Sequence, residues 1–166
     1  MTWRELYCYW RGRHIDGRPP SRADIDPPID IPKLLANLII LDRVGAHCRI
    51  RLAGSDVVRR GGRDATGRTL EGDMMSYRRL VMLVEFLERV ITTGEPVIYS
   101  VARGNDSAFA AIGILLPLTS AEAGMVLGGV FYRTTRTGES SEPWTPGAFA
   151  ELPLPHMLEQ DIEPFR

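Results

Sequence analysis

The sequence predicts an α+β fold: two strands, a set of short helices, one long helix, then three more strands, with a further helix at the N-terminus. Three observations carry this. Residues 48–52 alternate apolar and charged, with Cys48, Ile50 and Leu52 between Arg49 and Arg51, as a half-buried strand does. Leu80, Leu83, Val84, Leu87, Val90 and Ile91 recur at three and four residues, the period of a helix with one buried face. Three strand-like runs follow that helix, over 97–102, 108–118 and 124–135.

In chain order, residues 2–11 form a short amphipathic helix with Trp3, Leu6, Tyr7 and Trp10 on one face. So large an apolar stripe on so short a helix needs cover. Two fates supply it: packing on the chain's own sheet, or a contact between two copies. The expectation adopted is a homodimer in which these four residues contribute to the interface. Gly12, Gly17, Pro19 and Pro20 then break the chain. Residues 21–32 hold Asp24, Asp26 and Asp30 among Pro27, Pro28 and Pro32. Caps and tight turns explain them, and the glycine and terminal glutamate of a calcium loop are missing.

Leu38–Val44 is apolar enough to be buried on both faces. Gly45 and Ala46 turn it into the second strand, which ends at Gly54. Ser55 or Asp56 caps a short helix carrying Val57 and Val58, and Gly61 and Gly62 stop it. Asp64, Thr66 and Gly67 supply turn chemistry before Leu70. The long helix runs from the region of Ser76 to Thr93, with Gly94 and Pro96 past its end. Arg103-Gly104-Asn105-Asp106 reads as a hairpin turn. Gly113, Gly128 and Gly129 mark bulges or close approach within the last strands. Residues 136–166 lose all period among five prolines and read as a loosely ordered tail anchored by Trp144 and Phe149.

The chain has 166 residues, a net charge of −1 and ordinary apolar content, so nothing global favours nucleic acid or an anionic membrane. Cys8 and Cys48 form no Cys-x-x-Cys pattern, and Cys48 falls on an apolar strand face, so no zinc site is expected. No apolar run approaches the length of a membrane span, and the N-terminus lacks an apolar signal core, which makes the cytoplasm the expected location. His14, His47 and His156 stand in no nucleophile pairing, and no enzyme activity is expected.

Arg49-x-x-x-x-Gly54 followed by Gly62-Arg63-Asp64-x-Thr66-Gly67-x-x-Leu70 resembles the first half of a PAS domain. With Ser21-Arg-x-Asp-Ile-Asp-Pro27 and Asp30-Ile-Pro32 upstream, the chain is similar to a family of small stand-alone bacterial PAS proteins of alphaproteobacterial type. The resemblance covers roughly residues 3–135. It implies a PAS-like five-stranded antiparallel sheet, with short helices and one long helix across one face, plus the N-terminal helix. It divides the chain into an N-terminal helix and linker over 1–20, the PAS-like domain over 21–135 and the tail over 136–166.

The implied function is a sensory or signalling module for an unidentified small molecule or protein partner, or else a ligand-free dimerisation adaptor. The candidate ligand pocket lies between sheet and helices, lined by Val57, Leu70, Met74, Tyr77, Leu80, Val81, Val84, Ile112, Ile114 and Val130. Close packing of the same residues as core is the competing reading. Tyr77 is the leading ligand contact, because a buried hydroxyl needs a partner. Haem-binding PAS domains carry a histidine on the long helix, and this one has none. Photosensing flavin members carry an Asn-Cys-Arg-Phe-Leu segment, whereas here the chain reads Asp64-Ala65-Thr66-Gly67-Arg68. Neither cofactor is expected, and no metal. Nucleic acid and membrane are not expected as partners.

Overall fold

The computed structural model describes residues 2–45, 47–61, 63–70, 77–103, 109–119, 124–132 and 146–154. Six strands, β1 (Leu38–Val44), β2 (His47–Ala53), β3 (Val97–Arg103), β4 (Phe109–Leu118), β5 (Met125–Tyr132) and β6 (Pro146–Leu152), form one antiparallel sheet in the order β2-β1-β5-β4-β3-β6. Strand β2 lies at one margin, and three strands separate it from β3. The connection between them must therefore cross a sheet face. The helices α3 (Ser55–Gly61) and α4 (Tyr77–Thr93) form that crossing.

The sequence implied five strands, and β6 is the addition. It pairs with β3 from Ile98↔Leu152 to Arg103↔Pro146, so residues 146–152 are sheet rather than loose tail. Arg89 of α4 donates two hydrogen bonds to Glu151, at 2.8 and 2.5 Å, and ties the helix to this strand.

The sheet carries a hydrophobic layer on each face. The N-terminal helix α1 (Trp3–Gly12) covers one. Its entry is fixed by Thr2, whose backbone N–H donates to Glu5 Oε2 at 2.7 Å. Trp3, Leu6 and Trp10 are buried against the chain's own strands, at 2, 0 and 2% exposure, and Tyr7 is half-buried beside them. The Trp10 indole N–H donates to the Pro117 carbonyl of β4 at 2.8 Å. Leu6 fits where Gly129 has no side chain, since a Cβ there would stand 2.7 Å from Leu6 Cδ2. The expectation that this stripe meets a second copy is thus corrected. Within one chain the sheet already covers the three most apolar positions, and burial on the nearest apolar surface needs no second molecule.

Residues 18–37 strap α1 to the sheet. Ser21 caps the 3₁₀ turn Arg22–Asp24 and bridges to Thr119 beside β4. Ile25 is buried in the same layer. Helix α2 (Pro27–Asp30) ends at Asp30, which accepts from the Tyr9 hydroxyl at 2.8 Å and pairs with Arg13 at 2.8 Å. The Tyr9 oxygen in turn accepts from the Asp26 N–H at 3.0 Å. The Asp24 and Asp30 carboxylates are thus taken up by a capping box and by the α1 contact. Among the described residues no group of acidic, histidine and cysteine side chains gathers as a metal site would.

A bulge in β2 corrects one facing. Ile40 pairs with Leu52 but Leu41 with Ile50, so Arg51 is the extra residue. Cys48 and Ile50 point under α4, whereas Leu52 turns to the opposite face and is 38% exposed. Gly54 then passes so close to the 3₁₀ turn Pro32–Asn37 that a Cβ would lie 2.2 Å from the Leu35 carbonyl oxygen. Only glycine fits that crossing.

Candidate functional site

The second hydrophobic layer lies between the sheet and α4. Leu83, Leu87 and Val90 of the stripe read from the sequence are 7, 3 and 0% exposed, and Phe86 beside them is 8% exposed. They rest on Leu41, Ile50, Val97, Leu115 and Val126. At the β1–β2 end, Leu41, Cys48, Val84, Leu87, Glu88 and Ile91 enclose a cleft of about 10 Å³, room for one water. Burial, with the negative charges of Asp42 and Glu88, pushes the Cys48 thiol up to about 12, which makes it inert at neutral pH.

The polar groups of this layer gather toward its other end. Tyr99 lies on β3 directly over Gly113 of β4, where a Cβ would come within 2.1 Å of the ring. Phe86 of α4 packs on it with ring centroids 5.6 Å apart. Burial raises the Tyr99 hydroxyl far above its ordinary value. Two strands away, Tyr132 at the end of β5 is raised to about 12, chiefly by burial, with the positive charge of Arg60 opposing. The Arg60 guanidinium of α3 lies over the Tyr132 ring, 4.4 Å from its centroid. Its Nε is buried and has no hydrogen-bond partner among the described residues. A cation held on an aromatic face with a donor left over suits an anionic or acceptor-bearing guest.

The predicted lining divides accordingly. Leu70, Leu80 and Val130 join this layer, Val84 lines the small cleft, and Val57 and Val81 are half-buried on α3 and α4. Ile112 and Ile114 belong to the other layer, under α1, at 1 and 0% exposure. The period of two along β4 explains this correction: Ala111, Gly113 and Leu115 point to α4, so their neighbours cannot. Met74 and the side chain of Tyr77 lie outside the described residues. Tyr99, Tyr132 and Arg60 were missed, whereas Gly113 was read as a place of close approach, which the Tyr99 ring makes. The alternation Val97, Tyr99, Val101 in β3 and the small pair Ala111 and Gly113 in β4 were the available signals.

An antiparallel sheet in which the first two strands reach the last three through helices laid over one face, with a polar group enclosed beneath them, defines the PAS class of sensory and interaction modules. The family model for the PAS domain matches residues 1–131, from α1 to the end of β5, and the chain belongs to that family. Its members are in general sensory or interaction modules rather than enzymes. Neither the curated proteins nor the solved structures yield a match. Among the described residues no helix is long and apolar enough to cross a membrane.

Proposed function

We propose that this PAS domain is a sensor whose small-molecule ligand enters the α4 layer at the Arg60–Tyr132 end. The observation that carries this reading is the buried Arg60 Nε, left without a partner among the described residues while the guanidinium stacks on Tyr132. A ligand with a carboxylate or similar acceptor beside a flat apolar body would satisfy both. Its binding would favour one packing of α3 and α4 over another, a population shift. The neighbouring glycines of β5 offer a route through the sheet. A Cβ at Gly128 would meet Ile39 and Leu115 on the α4 side, whereas one at Gly129 would meet Leu6 of α1 on the other. The signal then passes from α1 to a partner protein or a second copy.

Native mass spectrometry of freshly purified protein tests this. A retained small molecule in the wild type, lost in Arg60→Met, is the expected result; bare protein mass in both overturns it. The tight cleft at the other end favours a second reading, a ligand-free adaptor that works through contacts alone. Bare mass together with binding to a partner protein supports that one. We further propose that neither haem nor a photoactive flavin is bound, so the protein is colourless; their absorbance bands in unreconstituted protein refute this. A homodimer is the proposed assembly. With the α1 stripe buried on its own sheet, the contact falls on other residues, and sedimentation showing a monomer at micromolar concentration rules the dimer out.

A further inference from the structure

One part of the α1-side sheet face is not covered by α1 or its strap. Asp42 and Val44 of β1, and His47, Arg49 and the bulge residues Arg51 and Leu52 of β2, all belong to it by register. Asp42 is 3% exposed and sits at the centre. Arg49 donates to both of its oxygens, from Nε at 3.1 Å and from Nη2 at 2.7 Å, and Arg51 Nη1 donates to Oδ2 at 3.2 Å. One carboxylate thus orients two guanidinium groups whose side chains are 41 and 52% exposed. Each guanidinium has about five N–H donors, so most of them face outward beyond Asp42. The cluster carries net charge +1. Val44 and Leu52, 47 and 38% exposed, lie on the same face.

We propose that this face docks an acidic segment of a partner protein, its carboxylates on Arg49 and Arg51 and an adjoining apolar side chain on Leu52 or Val44. The guanidinium fork fits a carboxylate through two parallel hydrogen bonds. Asp42 already holds both forks in place, which reduces the rotamer freedom lost on binding. The flanking apolar residues separate this partner from a phosphate polymer or lipid headgroup, for which the cluster's net charge of +1, two arginines less Asp42, is a small attraction. The site is on the opposite face of the sheet from Arg60 and Tyr132 and does not depend on the ligand proposed there.

The test uses isotopically labelled full-length protein titrated with a blocked peptide of alternating Glu and Leu. The expected result is saturable movement of the amide signals of 44 and 47–52. Both Arg51→Ala, which leaves the Arg49–Asp42 pair intact, and Leu52→Ala weaken binding about fivefold while the amide signals away from 42–52 stay in place, so the loss is not one of fold. No saturable movement with the peptide overturns the proposal. So does unchanged peptide affinity in either variant, or equal movement of the same signals by inorganic phosphate or by vesicles of anionic lipid.

Discussion

Replacing Leu6 by alanine tests how α1 is held. Leu6 is fully buried, and its Cδ2 occupies the space above Gly129. Removing it leaves a cavity whose floor is backbone and whose walls include Trp3 and Trp10, groups held by their own burial and by the Pro117 hydrogen bond. Such a site collapses poorly, which places the loss in the upper part of the Leu→Ala range, about 3–5 kcal/mol. With a urea slope of about 2 kcal/mol/M, the unfolding midpoint falls by roughly 2 M. The loss should be the same over about a hundredfold range of protein concentration, because the contact is made within one chain. A midpoint shift equivalent to less than about 1 kcal/mol, or one that grows with dilution, would show that the stripe is not held on its own sheet.

Leu83→Ala and Leu87→Ala should each cost about 2–5 kcal/mol, since both are buried under α4, and unchanged midpoints in urea would mean the helix faces elsewhere. Gly113→Ala drives a methyl into the Tyr99 ring and should cost about 1–3 kcal/mol; the double variant with Tyr99→Ala should lose less than the sum of the two, and strict additivity would contradict the contact. The hydrogen bonds from Arg49, and the charges of Arg49 and Arg51, hold the Asp42 carboxyl below the usual range against the opposing effect of burial. Its stabilisation is therefore complete above pH ~4 and is lost as pH falls through the lower folded value. Asp42→Asn should be less stable at neutral pH and show a shallower decline in acid, and an unaltered acid limb would refute that linkage.

The strands and the long helix were legible because their patterns are local. Alternation over 48–50 and the three-four repeat from Leu80 to Ile91 each report one face directly. The facing of Ile112 and Ile114 was not legible. Almost every residue of β4 is buried, so its sequence offers no polar side from which to choose a face, and only Tyr99 above Gly113 reveals the parity. The bulge at Arg51 reversed Leu52 for a similar reason, since an inserted residue leaves the alternating letters intact while turning the chain. Strand β6 was hidden by Pro146 and Pro153 at its ends, residues that argue against a central strand but suit an outer one. Of the aspartates of 21–32, Asp24 caps a turn as read, whereas the ties of Asp30 to Tyr9 and Arg13 of α1 needed the tertiary structure.

Strand β6 has a consequence for how the protein behaves at high concentration. It lies beyond residue 131, where the family match ends, yet it occupies the outer hydrogen-bonding side of β3. A fragment cut at the family boundary would present β3, with its run Val97-Ile98-Tyr99, as an open template for any other extended chain. At the opposite margin β2 has a cover of its own, because the N–H groups of Gly67 and Leu70 donate to the Ile50 and Cys48 carbonyls. The shortened fragment would therefore associate through one side only, giving strand-exchanged pairs or precipitate, whereas a fragment carried through Leu154 keeps β3 paired. The segment after the family match is what pairs the outer side of β3, so the boundary of the sequence family is not the boundary of the paired sheet.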